Sequence, residues 1–425
     1  MPHNRAYRGV FRFRAGRGFS RAAILALLCA ALPAPSIPAP RPNGSSPARG
    51  RVKTGIDVLE EQEFAPLRGR RVGLITNQTG VDAQGRRTID VLAHAPGGKL
   101  VAVFSPEHGL LGRADAPVSD ATDAATGLPV YSLYGATRRP TDAMLHDIDA
   151  LVFDMQDAGV RFYTYVTTMA YCMEEAAEHH IPFFVLDRPD PLGGEVIEGP
   201  ALDADRTSFT GYFPLPVRYA MTLGELARLF NAEKGIGADL RVVALRGWRR
   251  RDSYDRTGLA WIPPSPNLRT LDAAFLYPGI EILQAGGVSV GRGTDAPFEL
   301  VGAPWIHADE LAAALTRRKI PGVRFTPATF VPSQDAYAGQ PCHGVQMRIT
   351  GRGSLRSMRV GLEMAAALQR MYPEHFHLAR IVELLGSRAT VERIGRGDAP
   401  EQIIAGWSGD LGRFRRMRAR YLLYD

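Results

Sequence analysis

The chain has 425 residues, more than a single hydrophobic core usually organises, so about two domains are expected. Its 45% hydrophobic and 22% charged residues are the proportions of an ordinary soluble protein and exclude wholesale disorder. The formal charge of +7 does not point to nucleic acid, because six arginines (Arg5, Arg8, Arg12, Arg14, Arg17 and Arg21) precede residue 22 with no acidic residue among them.

Those arginines lead into the apolar run Ala22–Leu32 and then into small residues and prolines, the layout of a secretory signal. The run is too short to span a bilayer, which takes about 20 residues. Residues 1–39 are therefore expected to be a signal peptide and residues 40–51 a linker. The protein is expected to be periplasmic or extracellular, with no stable membrane insertion after signal removal. Leu28 before Cys29 is bulky where a lipoprotein signal carries a small residue, which argues against lipid anchoring. Only Cys172 and Cys342 remain beyond the leader, so there is no disulfide framework and no cysteine-rich zinc motif.

From residue 70 onward, short apolar runs alternate with helical patterns. Strands are expected at Arg71–Asn77, Lys99–Ser105, Ala150–Asp154 and Pro182–Asp187, each apolar enough to be buried on both faces of a parallel sheet. Helices are expected at 87–93 and 167–180, and Thr222-Leu-Gly-Glu225 is a capping box opening another through Phe230. Gly and Pro then become dense between 258 and 304, and further helices are expected near 309–319, 357–371 and 400–407. The reading is an α/β layered domain over 52–235, followed by a smaller α+β domain over 236–425.

Each strand runs into polar residues, and in an open parallel sheet such ends share one edge, where ligands bind. Asn77, Glu107, His108, Asp154, Gln156, Asp157, Asp187 and Arg188 are thereby grouped along one rim, although capping of strand ends accounts for some of them. The first strand is followed by Asn77-Gln-Thr-Gly80, not by a glycine-rich phosphate turn, so no dinucleotide cofactor is expected. No histidine has metal-ligand spacing, so no metal is expected either. A rim of carboxylates suits acid–base cleavage of a glycosidic bond, with Glu107 as the acid, because partial burial after an apolar strand favours a protonated carboxyl. Tyr163, within Arg161-Phe-Tyr-Thr-Tyr165, can face a sugar, though aromatic residues at a helix start also serve as core.

Taken together, the segments resemble the exo-β-N-acetylmuramidases of the NamZ type. They are Gly73-Leu-Ile-Thr-Asn-Gln-Thr-Gly80, Phe104-Ser-Pro-Glu-His-Gly109, Leu133-Tyr-Gly135, Phe153 through Tyr165, Leu186-Asp-Arg-Pro189 and Glu198-Gly-Pro200. Met221 through Glu225, Pro264-Ser-Pro-Asn267, Ser289 through Thr294 and Pro297-Phe-Glu299 follow in order. The resemblance implies a Rossmann-like N-terminal domain and an enzyme releasing N-acetylmuramic acid from the non-reducing ends of peptidoglycan fragments. It places the family's catalytic glutamate on Glu107. Asp157 and Tyr163 are expected beside it in catalysis, orienting substrate, water or the developing charge, and Asn77, His108, Asp154, Gln156 and Asn267 are expected among the substrate-binding residues. Arg161, Arg188 and Arg292 are candidates for the lactyl carboxylate of such a substrate, which a guanidinium holds with two parallel hydrogen bonds. Where the family is expected to read Glu-Gly-Thr-Asn, this chain has Gln284-Ala-Gly-Gly287, which leaves the second carboxyl group open. A hydrolase of another amino sugar and a non-catalytic wall-fragment binding protein are the rival readings.

Overall fold

The apolar run Arg71–Thr76 forms strand β1 at the centre of a sheet in this computed structural model, which describes residues 51–114 and 116–425. The expected signal peptide and nearly all of the linker lie outside the described residues. Further strands follow at Lys99–Ser105 (β2), Ala121–Thr122 (β3), Pro129–Ser132 (β4), Ala150–Asp154 (β5), Phe183–Leu186 (β6), Glu198–Ala201 (β7), Pro216–Arg218 (β8) and Leu240–Val243 (β9). Seven of these make one sheet in the order β3-β4-β2-β1-β5-β6-β9, parallel except for the β3–β4 edge. The chain builds outward from β1 in one direction through β2 and β4, then in the other through β5, β6 and β9. The order therefore reverses between β1 and β5, the place where an open α/β sheet leaves a crevice at its carboxyl ends.

Burial explains why these strands were continuous apolar runs: every residue of β5 and β6 is buried. One face packs Ile56, Leu59 and Leu92, from helices 55–61 and 88–93, on Val72, Leu74 and Val152. The core on the other face runs from Phe153 and Met169 without a break to Leu276, Leu283 and Leu362. The Thr222 capping box is present, the Glu225 amide donating to the Thr222 hydroxyl (3.2 Å) and the Thr222 amide to the Glu225 carboxylate (3.1 Å). The seventh strand lies beyond residue 235, so the layered sheet continues past the expected boundary.

The C-terminal portion adds an antiparallel sheet of Leu300–Ala303 (β10), Val323–Phe330 (β11) and Cys342–Ile349 (β12), in the order β10-β12-β11. Helix Leu271–Ile280 crosses helix Ser357–Met371 where Gly279 meets Gly361. A Cβ on Gly279 would lie 2.0 Å from the Ser357 carbonyl oxygen, so backbone approaches backbone there. Cys172 and Cys342 are both buried and unpaired. No helix among the described residues is long and apolar enough to cross a membrane.

Candidate active site

Glu107 leaves the carboxyl end of β2 on a tight turn. The Gly109 amide donates to the Pro106 carbonyl (3.0 Å), and His108 between them takes a left-handed backbone, φ 69°. That conformation costs a non-glycine residue of order 1 kcal/mol and concentrates at functional sites. The His108 Nδ1–H donates to the Ala114 carbonyl (2.7 Å), which fixes the ring. The turn sets the Glu107 carboxyl, half-buried, into a cavity of about 210 Å³. The Thr164 hydroxyl donates to its Oε2 at 2.5 Å.

The rest of the wall comes from distant parts of the chain. Phe162, Tyr163, Tyr277 and Phe298 form a chain of edge-on aromatic contacts, with ring centroids 4.8 to 6.2 Å apart. Burial pushes the Tyr163 and Tyr277 hydroxyls well above their usual range, so both are neutral. Ser265 enters on the 263–267 turn. That turn is held because Gln78 Nε2 donates to the Pro263 carbonyl (2.8 Å) and the Tyr165 hydroxyl to the Pro264 carbonyl (2.8 Å). Opposite stand Glu281, at the start of the 3-10 turn Glu281–Gly286, and Arg292, whose Nη2 donates to Glu281 Oε1 at 2.6 Å. Asp335 completes the rim, 3.9 Å from Arg292 Nε. Phe298 and Asp335 are also left-handed, φ 63° and 61°, so with His108 three strained residues converge on one cavity. Chemically it offers three carboxyl groups, Glu107, Glu281 and Asp335, with one guanidinium and an aromatic wall, the equipment for cleaving a bond to a sugar.

Residues 72–272 match the family described as exo-beta-N-acetylmuramidase NamZ, N-terminal, and residues 275–424 match its C-terminal counterpart. The chain belongs to the NamZ family. It is 44% identical over 379 residues to the peptidoglycan beta-N-acetylmuramidase NamZ of Bacillus subtilis (strain 168), across 88% of this chain and 92% of that protein. Among solved structures, a DUF1343 family protein of Bacteroides fragilis NCTC 9343 superposes with a TM-score of 0.82 at 41% identity, over 88% of this chain and 99% of the other. A second such protein of that organism gives 0.73 at 29% identity over the same shares.

Against that NamZ-family background, the residues expected from the sequence fall into two groups. Glu107, His108, Tyr163 and Arg292 line the cavity. Asn77, Asp154, Gln156, Asp157, Arg188 and Asn267 lie behind it, buried, and Arg161 is turned into the core. The rim exists, but most of its members lock the strand ends to one another. Asp154 accepts from Arg188 Nε (2.6 Å) and Nη2 (2.9 Å), and Asn77 Nδ2 donates to the Tyr165 hydroxyl (2.8 Å). Gln156 Nε2 donates to the Pro189 carbonyl (2.9 Å). Asp157 accepts from the Tyr219 hydroxyl and the Gly159 amide, and burial lifts it to about 6.

The carboxylate-binding expectation is met by neither Arg161 nor Arg188. Arg161 donates to the carbonyls of Pro200, Leu215, Leu384 and Leu385, and this desolvated position lowers its pKa to about 9. Arg188 is committed to Asp154 and the Val81 carbonyl. A larger hollow of about 610 Å³ elsewhere is rich in arginine, but two of its guanidinium groups are taken up by carboxylates of the chain: Arg352 pairs with Asp255 and Asp272, and Arg250 with Glu225.

Sequence reasoning missed Thr164, Ser265, Tyr277, Glu281 and Asp335. Thr164 and Ser265 lay inside segments already singled out. Glu281 is three residues before Gln284, and in a 3-10 turn residues i and i+3 share a face, so an acid stands one turn ahead of where one was expected.

Proposed function

We propose that the chain is an exo-acting glycoside hydrolase, releasing N-acetylmuramic acid from the non-reducing ends of peptidoglycan fragments, and that Glu107 is its general acid. The observation that carries this reading is the placement of Glu107 at a domain-sized sheet's carboxyl edge, inside an aromatic-walled cavity that also holds a second carboxyl group and an arginine. At about 210 Å³ the cavity falls below the roughly 300–1,000 Å³ of sites for drug-sized ligands, which suits one terminal sugar rather than a stretch of glycan. Kinship with the Bacillus subtilis enzyme supports the substrate class. Arg292 lines the same cavity, which supports it as the partner of the lactyl carboxylate. The arginine-rich leader with its apolar run supports export to the compartment where wall fragments are found.

In the reaction Glu107 gives its proton to the glycosidic oxygen as the bond to the anomeric carbon breaks, and Thr164 holds the carboxyl in that direction. Glu107→Gln keeps shape and hydrogen bonding but removes the proton donor. Turnover of 4-methylumbelliferyl β-N-acetylmuramide is expected to fall by about 100-fold or more at unchanged melting temperature. Near-normal release of N-acetylmuramic acid by this variant would remove Glu107 from the mechanism.

A further inference from the structure

Glu281 is a buried carboxylate only half used by the fold. Its Oε1 takes the hydrogen bond from Arg292, while its Oε2 is buried and has no hydrogen-bond partner among the described residues. Arg292 Nε is in the same condition, with Asp335 too distant for a hydrogen bond at 3.9 Å. A buried ion pair that served packing alone would have its remaining oxygen and N–H satisfied, because leaving them open is costly. Here both open atoms belong to residues of the cavity wall that also holds Glu107.

The support beneath Glu281 is rigid. It opens the Glu281–Gly286 turn directly after helix 271–280, and the His377 amide donates to the Gly286 carbonyl (2.9 Å) where that turn ends.

The two carboxyl groups also differ in their electrostatic surroundings. Glu107 has a neutral hydroxyl as its side-chain partner and forms no ion pair among the described residues, whereas Glu281 has a guanidinium at 2.6 Å. Cleavage of a glycosidic bond commonly uses one carboxyl group as the acid and a second one at the reacting sugar, so the two are free to take different roles.

Resting on the muramidase reading above, we infer that Glu281 is the second carboxyl group of the reaction: its free oxygen contacts the sugar and stabilises the positive charge that develops there, with Arg292 as its positioning residue. Burial, Asp335 and Glu107 hold the Glu281 carboxyl above its ordinary value of 4.5 against the pull of Arg292, so the carboxylate form is reached at a higher pH than for an exposed glutamate.

Leaving-group chemistry separates this role from that of Glu107. Two aryl β-N-acetylmuramides are compared, one with a 4-methylumbelliferyl and one with the more acidic 2,4-dinitrophenyl leaving group. Glu107→Gln should be strongly impaired on the first and substantially restored on the second, which needs no proton. Glu281→Gln should lose about 100-fold or more in kcat on both, because the missing charge is required whichever group departs.

Glu281→Gln leaves Arg292 buried beside an amide, so melting temperature and KM are read beside kcat. A group that acts on the sugar loses kcat at a parent-like melting temperature and KM, whereas a purely structural wall residue lowers the melting temperature or raises KM. A loss confined to melting temperature or KM, or a variant within about 3-fold of the parent kcat on both substrates, overturns the inference. If the unaltered chain hydrolyses neither substrate, the muramidase reading itself fails, and the role of Glu281 falls with it.

Discussion

At the scale of single residues, the site depends on how few contacts hold Glu107. Its carboxyl is directed by one short hydrogen bond from Thr164, and its backbone by the left-handed His108 that follows. A hydrogen bond between neutral groups contributes about 0.5–1.5 kcal/mol, and a general acid must be held within reach of the leaving oxygen. Thr164→Val keeps the volume and removes the donor. It should lower kcat/KM on the 4-methylumbelliferyl muramide by about 3- to 10-fold, while Thr164→Ser retains most of the activity. Thermal melting should separate the two possibilities: a Thr164→Val variant that loses activity only because it unfolds would also lose several degrees of Tm. Arg161 teaches the opposite lesson. A buried arginine in a polar and aromatic segment looked like a ligand residue, yet its hydrogen bonds go to carbonyls drawn from residues 200, 215, 384 and 385. Nothing local in the sequence could show that these four acceptors would gather around it.

At the scale of elements, the layered half was legible because strands buried on both faces must be continuous apolar runs. β1, β2, β5 and β6 were found within a residue or two at each end. The C-terminal sheet was not, since β11 alternates buried and exposed positions and carries Pro327, which reads as a break. Helix 271–280 was hidden for a related reason: Pro278 and Gly279 look like a stop signal, and the helix is apolar around most of its circumference. Glu281 sits directly behind that apparent stop, and its proximity to Glu107 is purely tertiary, built through the contacts of Phe162 with Tyr277 and of Tyr277 with Phe298. The same crossing gives a test of how the element positions the site. A Cβ on Gly361 would lie 2.2 Å from the Gly279 carbonyl oxygen, and backbone cannot give way as a flexible side chain can. Gly361→Ala should therefore push helix 271–280 outward, costing roughly 1–3 kcal/mol in urea denaturation. It should also lower kcat by moving Glu281, although residue 361 touches no part of the cavity. Unchanged stability and kcat would show that the crossing has slack.

At the scale of the whole molecule, three carboxyl groups sealed in the interior make stability depend on pH with an unusual sign. Asp157 and Asp187 are raised to about 6 and Asp190 to about 7, with burial as the leading cause in each. They are structural joints: Asp187 accepts from the Thr222 hydroxyl (2.7 Å), the Gly224 amide (2.8 Å) and the hydroxyl of Tyr424 (2.5 Å), which ties the C-terminal end of the chain to β6. In the unfolded chain such groups release their protons near 3.8, whereas in the folded protein they hold them up to about pH 6–7. Between those limits the folded state binds more protons, so raising the pH across that window destabilises it, and the loss is complete above about pH 7. A carboxyl held about two pH units up costs the folded state roughly 3 kcal/mol once ionised. Asp123, lowered to about 2 by its bond to Arg87, acts in the opposite direction, but only below 3.8. The urea midpoint should therefore be higher at pH 5 than at pH 8. Asp190→Asn, which cannot ionise, should flatten that slope, and an equally steep slope in this variant would assign the effect to other groups. A chain built this way keeps its greatest stability on the mildly acid side, where these buried carboxyl groups still hold their protons.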